Sequence, residues 1–329
     1  QAEETVFALD GVLTATVVLT AEKKAETAGH SHDQHNDHNH SPTQNQKTTP
    51  GQPVGGPTSA APPSLMPGVR SIIAVASGKG GVGKSTTSVN IALGLAASGH
   101  RVGLLDADIY GPSMPRMMGI SGRPASVDGK TLDPMENFGI KVMSMGFLVE
   151  EDTPMIWRGP MVQSALEQMM RDVNWGDLDV LVVDMPPGTG DIQLTLAQKV
   201  PLTGSIIVST PQDIALLDAR KGLNMFRKVD VPVFGLVENM SYYVCPKCGD
   251  RAEIFGHGGA RTEAKLMGMD FLGEVPLHIS IRETSDNGTP IVVSDPNSEH
   301  AKAYRTIADR IWEKIEINLN AGANAGPKI

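Results

Sequence analysis

Nine residues constrain this chain more than any others: Gly78-Lys79-Gly80-Gly81-Val82-Gly83-Lys84-Ser85-Thr86. They satisfy G-x-x-x-x-G-K-[ST]. They follow a short apolar run, residues 72–76, and open a helix-forming stretch, residues 85–97, which is the context the pattern requires. Glycines let the backbone wrap closely and aim N–H groups at phosphate oxygens, and the helix N-terminus adds positive partial charge. All nine, Gly78, Lys79, Gly80, Gly81, Val82, Gly83, Lys84, Ser85 and Thr86, are candidate nucleotide contacts. Lys84 is expected to reach the β- and γ-phosphates, and Ser85 to ligate Mg²⁺. A strand, phosphate loop and helix need a sheet to sit in. The rest of the chain supplies the pattern: strand-like runs at residues 102–105, 140–143, 180–183, 205–208, 233–237 and 271–275, with helical stretches such as 192–199 and 214–228 between several of them. Such alternation predicts an α/β fold, a mostly parallel sheet with helices on both faces.

Two further strands end in carboxylates. Leu104-Leu105-Asp106-Ala107-Asp108 and Val180-Leu181-Val182-Val183-Asp184 both place Asp at the carboxyl edge of a parallel sheet, where ligands bind. An isolated strand-terminal Asp is more often a cap or turn residue; two such strands downstream of a phosphate loop reverse those odds.

Composition narrows the partners. Lys and Arg total 28 against 37 Asp and Glu, a formal net charge of -9, which opposes a general affinity for nucleic acid or anionic membrane. A hydrophobic fraction of 40% supports a sizeable core, and no apolar run approaches the ~18–20 residues of a membrane span. The acidic start (Glu3, Glu4), with no cleavage pattern behind it, predicts no secretory signal. There are only two cysteines, in Cys245-Pro246-Lys247-Cys248-Gly249. A C-x-x-C turn aims two thiolates at one metal, and two thiolates do not complete a four-coordinate site. A symmetric pair of chains would supply Cys₄, which suits zinc or an iron–sulfur cluster. A zinc-ribbon knuckle and a redox dithiol are the competing readings, and residue chemistry alone does not separate zinc from iron.

The chain divides into zones. Residues 1–21 read as the C-terminal remnant of a small α+β domain. Residues 22–68, Pro-, Gly- and Ser-rich and carrying His30, His32, His35, His38 and His40, read as a disordered linker. The histidines could capture metal, but a solvated low-complexity tether is the favoured reading. Residues 69–317 are the nucleotide-binding domain, closed by an amphipathic helix over residues 299–317. Residues 318–329 read as a disordered tail.

The second lysine, Lys79, makes the phosphate loop the deviant K-G-G-x-G-K-[ST] form. It resembles the dimeric P-loop ATPases that include nitrogenase iron protein and the septum-site and plasmid-partition ATPases. The resemblance sharpens to the Mrp/ApbC iron–sulfur carriers over Asp106-Ala-Asp-Ile-Tyr-Gly-Pro-Ser113, Asp184-Met-Pro-Pro-Gly-Thr-Gly-Asp191, Glu238-Asn-Met-Ser-Tyr-Tyr-Val-Cys-Pro-Lys-Cys-Gly249, Ile254-Phe-Gly256 and Ile281-Arg-Glu-Thr-Ser-Asp-Asn-Gly-Thr-Pro-Ile291. It implies a cytoplasmic bacterial homodimer, with the mitochondrial matrix as the alternative. In such a dimer Lys79 reaches the partner's nucleotide and Asp108 positions the attacking water, so Lys79, Lys84 and Asp108 are the catalytic candidates. Asp184 and Asp106 join Ser85 around Mg²⁺, residues 185–191 form a second switch, and Asn239 reads adenine. Cys245 and Cys248 of two subunits bridge a 4Fe–4S cluster, received from an upstream scaffold and handed to apo client proteins with ATP binding and hydrolysis. A partition or septum-site positioning ATPase, and an electron donor like the nitrogenase reductases, are the alternatives.

Overall fold

The runs Ile72–Ala76 (β1), Val102–Asp106 (β2) and Val180–Asp184 (β5) are apolar at almost every position, and every residue in them is buried. A strand covered on both faces can use no polar alternation, which is why these segments read as continuous hydrophobic runs. In the computed structural model, which describes residues 66–126, 128–149 and 159–324, they form the centre of one sheet. The remaining strands are Met135–Asn137 (β3), Ile140–Ser144 (β4), Gly204–Ser209 (β6), Val233–Val244 (β7), Arg251–Ala252 (β8) and Phe271–Leu277 (β9). The order is β3-β4-β2-β5-β1-β6-β7-β8, with β9 also paired to β7. All pairings are parallel except those of β3 with β4 and β8 with β7.

Helices cover both faces, and side-chain alternation shows how. On β6, Ile206 and Val208 enter the main core while Ile207 enters a second cluster; on β7, Val237 and Leu236 divide the same way. The second cluster is closed by Leu216, Ala219 and Leu223 of Asp213–Lys228 (α5) and by Ala260 and Ala264 of Gly259–Leu266 (α6). The main core takes in Lys84–Ala97 (α1), buried from Thr87 to Leu95, and the final helix Glu299–Asn324 (α9). Gly94 is the contact point between them. A Cβ there would lie 2.9 Å from the Ala308 Cβ, so the two helices approach too closely for a side chain at that position. The other helices are Met114–Met117 (α2), Gly159–Arg171 (α3), Asp191–Lys199 (α4), Ile279–Asp286 (α7) and Ile291–Ser294 (α8). Among the described residues no helix is long and apolar enough to cross a membrane.

The predicted α/β class and its strands hold; two boundaries move. The closing helix runs to Asn324 rather than Ile317, because Leu319 packs on the core and the Asn318 amide donates to the Lys314 carbonyl at 3.0 Å. At the other end the domain already includes Met66, which is buried, and Gly68, whose carbonyl accepts from the Leu178 N–H at 3.0 Å. The readings of residues 1–21 and 22–65, with the His tract, and of residues 325–329 lie outside the described residues.

Candidate functional site

The loop after β1 enters α1 through Gly83, whose φ is +81°. Its glycines are needed for different reasons. A Cβ at Gly78 would fall 2.2 Å from the backbone carbonyl of Asp218 on α5, so that residue is fixed by packing. At Gly83 a Cβ would meet the Asn239 Nδ2 at 2.1 Å, in a left-handed conformation that already disfavours other residues.

Lys84 and Asp184 are both buried, with Nζ 2.7 Å from Oδ2. The Ser85 hydroxyl donates to the same oxygen at 2.6 Å and accepts from Lys84 at 3.1 Å. The other carboxylate oxygen of Asp184 accepts from the Ser88 hydroxyl at 2.6 Å. Sequence reading missed Ser88. Its signal is spacing: it lies three residues after Ser85 on α1, and so on the same helical face. The hydroxyl and carboxylate oxygens of Ser85 and Asp184 are hard donors, the set Mg²⁺ takes.

Asp106 and Asp184 end neighbouring strands in direct register. Asp106 accepts from the Asp108 N–H at 3.1 Å, the Ser113 N–H at 3.1 Å, the Met114 N–H at 3.3 Å and the Ser144 hydroxyl at 3.0 Å. Its carboxylate therefore organises the loop from Ala107 to the start of α2, besides any part in a metal shell. Burial, and then the charge of Asp184, push its carboxyl up to about 7, against the pull of Lys84 and these hydrogen bonds. Asp108 is half-buried. Burial raises its carboxyl most, Lys84 lowers it, and Asp184 raises it. Asp108 thus feels the charges of both Lys84 and Asp184. Lys79 is half-buried, and among the described residues its ammonium makes no hydrogen bond or ion pair.

Residues 185–191 are tied to the end of β1. Met185 N–H donates to the Val75 carbonyl and Gly188 N–H to the Ser77 carbonyl, each at 3.0 Å, while the Gln193 amide holds the Pro187 carbonyl at 2.6 Å. The loop thus hangs beside the phosphate loop before α4 begins.

Asn239 sits directly behind the phosphate loop. It is buried, and its Nδ2 donates to the Val82 carbonyl at 2.8 Å. The donor half of an adenine-reading amide is thus engaged with the loop backbone. The next residue, Met240, has φ +55°, a conformation that costs a non-glycine residue on the order of 1–2 kcal/mol.

The cysteines lie at the turn of a hairpin, beyond Tyr243↔Ala252 and Val244↔Arg251. Cys245 N–H donates to the Asp250 carbonyl at 2.9 Å, and Gly249 N–H to the Cys245 carbonyl at 2.8 Å. Backbone N–H groups of Lys247 and Cys248 aim at the Cys245 sulfur, then the Cys248 thiol, and these lower its pKa. A lowered pKa raises the share of thiolate, the form that binds metal. Cys248 is exposed, and among the described residues no group of three or more His, Cys, Asp or Glu side chains could hold a metal ion. The knuckle is an open pair of ligands.

Comparison with known proteins agrees with this arrangement. The family model described as NUBPL iron-transfer P-loop NTPase matches residues 68–312. The chain is 58% identical over 255 residues to the iron-sulfur cluster transfer protein NUBPL of Dictyostelium discoideum, covering 77% of this chain and 79% of that one. It is 57% identical over 249 residues to the iron-sulfur cluster carrier protein of Escherichia coli, covering 75% and 68%. Among solved structures, an ADP complex of a nucleotide-binding protein from Archaeoglobus fulgidus superposes with a TM-score of 0.63 at 37% identity, covering 72% of this chain and 92% of that chain. The cell division ATPase MinD of Pyrococcus furiosus, at 21% identity and a TM-score of 0.57 over 74% of this chain and 99% of its own, shares the fold. With the phosphate loop, the three aspartates and the cysteine hairpin all inside the matched segment, the chain belongs to the ParA-type NUBPL/Mrp family of iron–sulfur cluster carrier P-loop NTPases.

Proposed function

We propose that the protein is an ATPase that carries a 4Fe–4S cluster on Cys245 and Cys248 of two copies and delivers it to apo-proteins. The observation that carries this reading is the hairpin knuckle: two thiols at a turn, one held as a better thiolate by backbone N–H groups, with no third ligand nearby among the described residues. Such a pair can hold a cluster only by sharing it, and a ligand set completed by a second chain leaves the cargo at a surface from which it can be passed on. The names of the relatives support cluster transfer, and the P-loop supports nucleotide hydrolysis.

Hydrolysis follows from the site. Lys84 exchanges its Asp184 partner for the β- and γ-phosphate oxygens, and the backbone N–H groups of residues 80–85 cradle the phosphates. Ser85 and Asp184 would hold Mg²⁺, which would offset the negative charge of the phosphates. Asp108 orients a water in line with the γ-phosphorus. The water's oxygen bonds to phosphorus as the bridging oxygen leaves on ADP, and the proton ends on phosphate. Lys79 reaches the nucleotide of the partner subunit, and loss of the γ-phosphate frees residues 185–191 to move. The cluster arrives from an upstream scaffold, and both events take place in the cytoplasm. A positioning ATPase shares this fold but has no use for the cysteine hairpin.

The test is delivery. The reconstituted protein is mixed anaerobically with an apo-enzyme that needs a 4Fe–4S cluster, with a chelator present to trap free iron. Acceptor activity should return with the wild-type chain and not with the double variant Cys245→Ala, Cys248→Ala. Equal activation by both would sink the proposal.

A further inference from the structure

One strand joins the phosphate loop to the cysteines. β7 places Asn239 against the loop, through the 2.8 Å bond to the Val82 carbonyl, and reaches Cys245 six residues later. Both ends of that bond are buried. Met240 also sits on the loop: a Cβ placed on Gly83 would lie 3.7 Å from its terminal methyl. In this stretch the strand is irregular. From Asn239↔Val275 to Tyr243↔Leu277, β7 advances four residues while β9 advances two. The left-handed Met240 lies inside that irregularity. Extra residues of this kind bend a strand and re-aim the side chains beyond the bend. The bend is bridged by a hydrogen bond: beyond Met240 the Ser241 hydroxyl donates to Glu238 Oε1 at 2.6 Å, and before it Glu238 Oε2 accepts from the Ala260 N–H at 2.8 Å. On the far side Tyr243 and Val244 pair with β8, and Tyr243 also with Leu277 of β9, before the knuckle. The segment therefore has a fixed base, a strained joint beside the nucleotide loop and a short arm carrying the two thiols.

We propose that the Asn239–Met240 bend transmits the state of the phosphate loop to the cysteine hairpin. Movement of the Val82 carbonyl when nucleotide binds pulls Asn239, and the left-handed Met240 turns that pull into a change of aim for Cys245 and Cys248. Met240 is a positioning residue: it touches neither nucleotide chemistry nor cargo, and acts through the hairpin. The inference rests on the cluster-carrier reading for its purpose, but not for its detection.

Hydrogen exchange on the full chain without cluster, with and without ADP and Mg²⁺, tests it. In the wild type, nucleotide should slow exchange in peptides covering residues 78–86 and change it in peptides covering residues 241–252. Met240→Gly removes the conformational demand and loosens the joint. It should keep the response at residues 78–86 and lose the response of the hairpin, while Met240→Leu, similar in size and without glycine's freedom, keeps both. A second readout uses the reconstituted protein. Nucleotide should change the rate at which a chelator strips the cluster by about fivefold or more in wild type, and not in Met240→Gly. A wild-type hairpin that ignores nucleotide while the loop responds overturns the proposal, as does a Met240→Gly hairpin that responds like wild type. If Met240→Gly does not fold, wild type and Met240→Leu decide it. Failure to bind a cluster at all would strike the carrier reading and leave the exchange result standing.

Discussion

Lys84 Nζ lies 2.7 Å from Asp184 Oδ2, on the oxygen that also accepts the Ser85 hydroxyl. The lysine that is to bind phosphate and the aspartate that is to organise the metal are thus a single buried ion pair. In the proposed mechanism nucleotide binding exchanges one anionic partner of Lys84 for another, so the ammonium stays compensated throughout.

Lys84→Ala removes the phosphate contact and leaves the Asp184 carboxylate buried without its counter-charge. ATP turnover should fall by at least about a hundredfold, the scale of losing one electrostatic contact to the transition state. The nucleotide-free protein should also lose about 3 kcal/mol or more, as when one partner of a buried pair is deleted. Steady-state hydrolysis and urea unfolding check the two effects; wild-type turnover would remove Lys84 from the mechanism.

Ser88→Ala leaves residues 78–86 of the phosphate loop unchanged and deletes the hydroxyl on Asp184 Oδ1. A hydrogen bond to a charged group contributes about 1.5–3 kcal/mol. The expected outcome is a raised Mg²⁺ requirement for hydrolysis with little change in KM for ATP at saturating Mg²⁺. A Mg²⁺ titration that overlays wild type would show that Ser88 does not position Asp184.

Lys79 carries no ionic partner among the described residues, whereas Lys84 is paired. Lys79→Ala should therefore cost little stability, keep ADP affinity within about threefold, a shift below 1 kcal/mol, and still lower kcat. Unchanged kcat would remove the cross-subunit role.

The glycines of the loop are legible in the sequence because two of their places admit no side chain: Gly78 packs against the Asp218 backbone, and Gly83 has φ +81°. The buried central strands read as apolar runs for the same kind of reason: both faces are covered. What the sequence hides is partnership at a distance. Ser88 is an ordinary helix serine until β5 brings Asp184 to it across 96 positions. Asn239 suggests a base-reading amide, and only the sheet order puts β7 close enough for its donor to be taken by Val82. α3 escapes a reading built on strand–helix alternation, although Val162, Leu166, Met169 and Met170 mark its buried face. The overrun of α9 past Ile317 depends on Leu319 finding the core, which composition does not reveal.

Away from the site, Arg101 pairs with Asp179 through two guanidinium bonds and one backbone N–H. The Arg101 side-chain bond, chiefly, holds the Asp179 carboxyl down to about 2. This lies below the ordinary value of about 3.9. The stabilisation is therefore complete above about pH 4 and disappears as pH falls through the folded value. Arg101 is more than half exposed, so solvent screening keeps the contribution small. Asp179→Asn should lower the urea midpoint at pH 7, and the difference from wild type should shrink as pH falls from about 4 to about 2. A difference that grows on acidification would contradict the assignment.

The central claim is that two half-sites share one cargo. Native mass spectrometry of the anaerobically reconstituted protein measures this directly. The expected result is a species of two chains with one 4Fe–4S cluster, lost together with the brown chromophore in the double variant Cys245→Ala, Cys248→Ala. A cluster or a zinc ion bound to a single chain, or a dimer that keeps its cluster without the two cysteines, would contradict it.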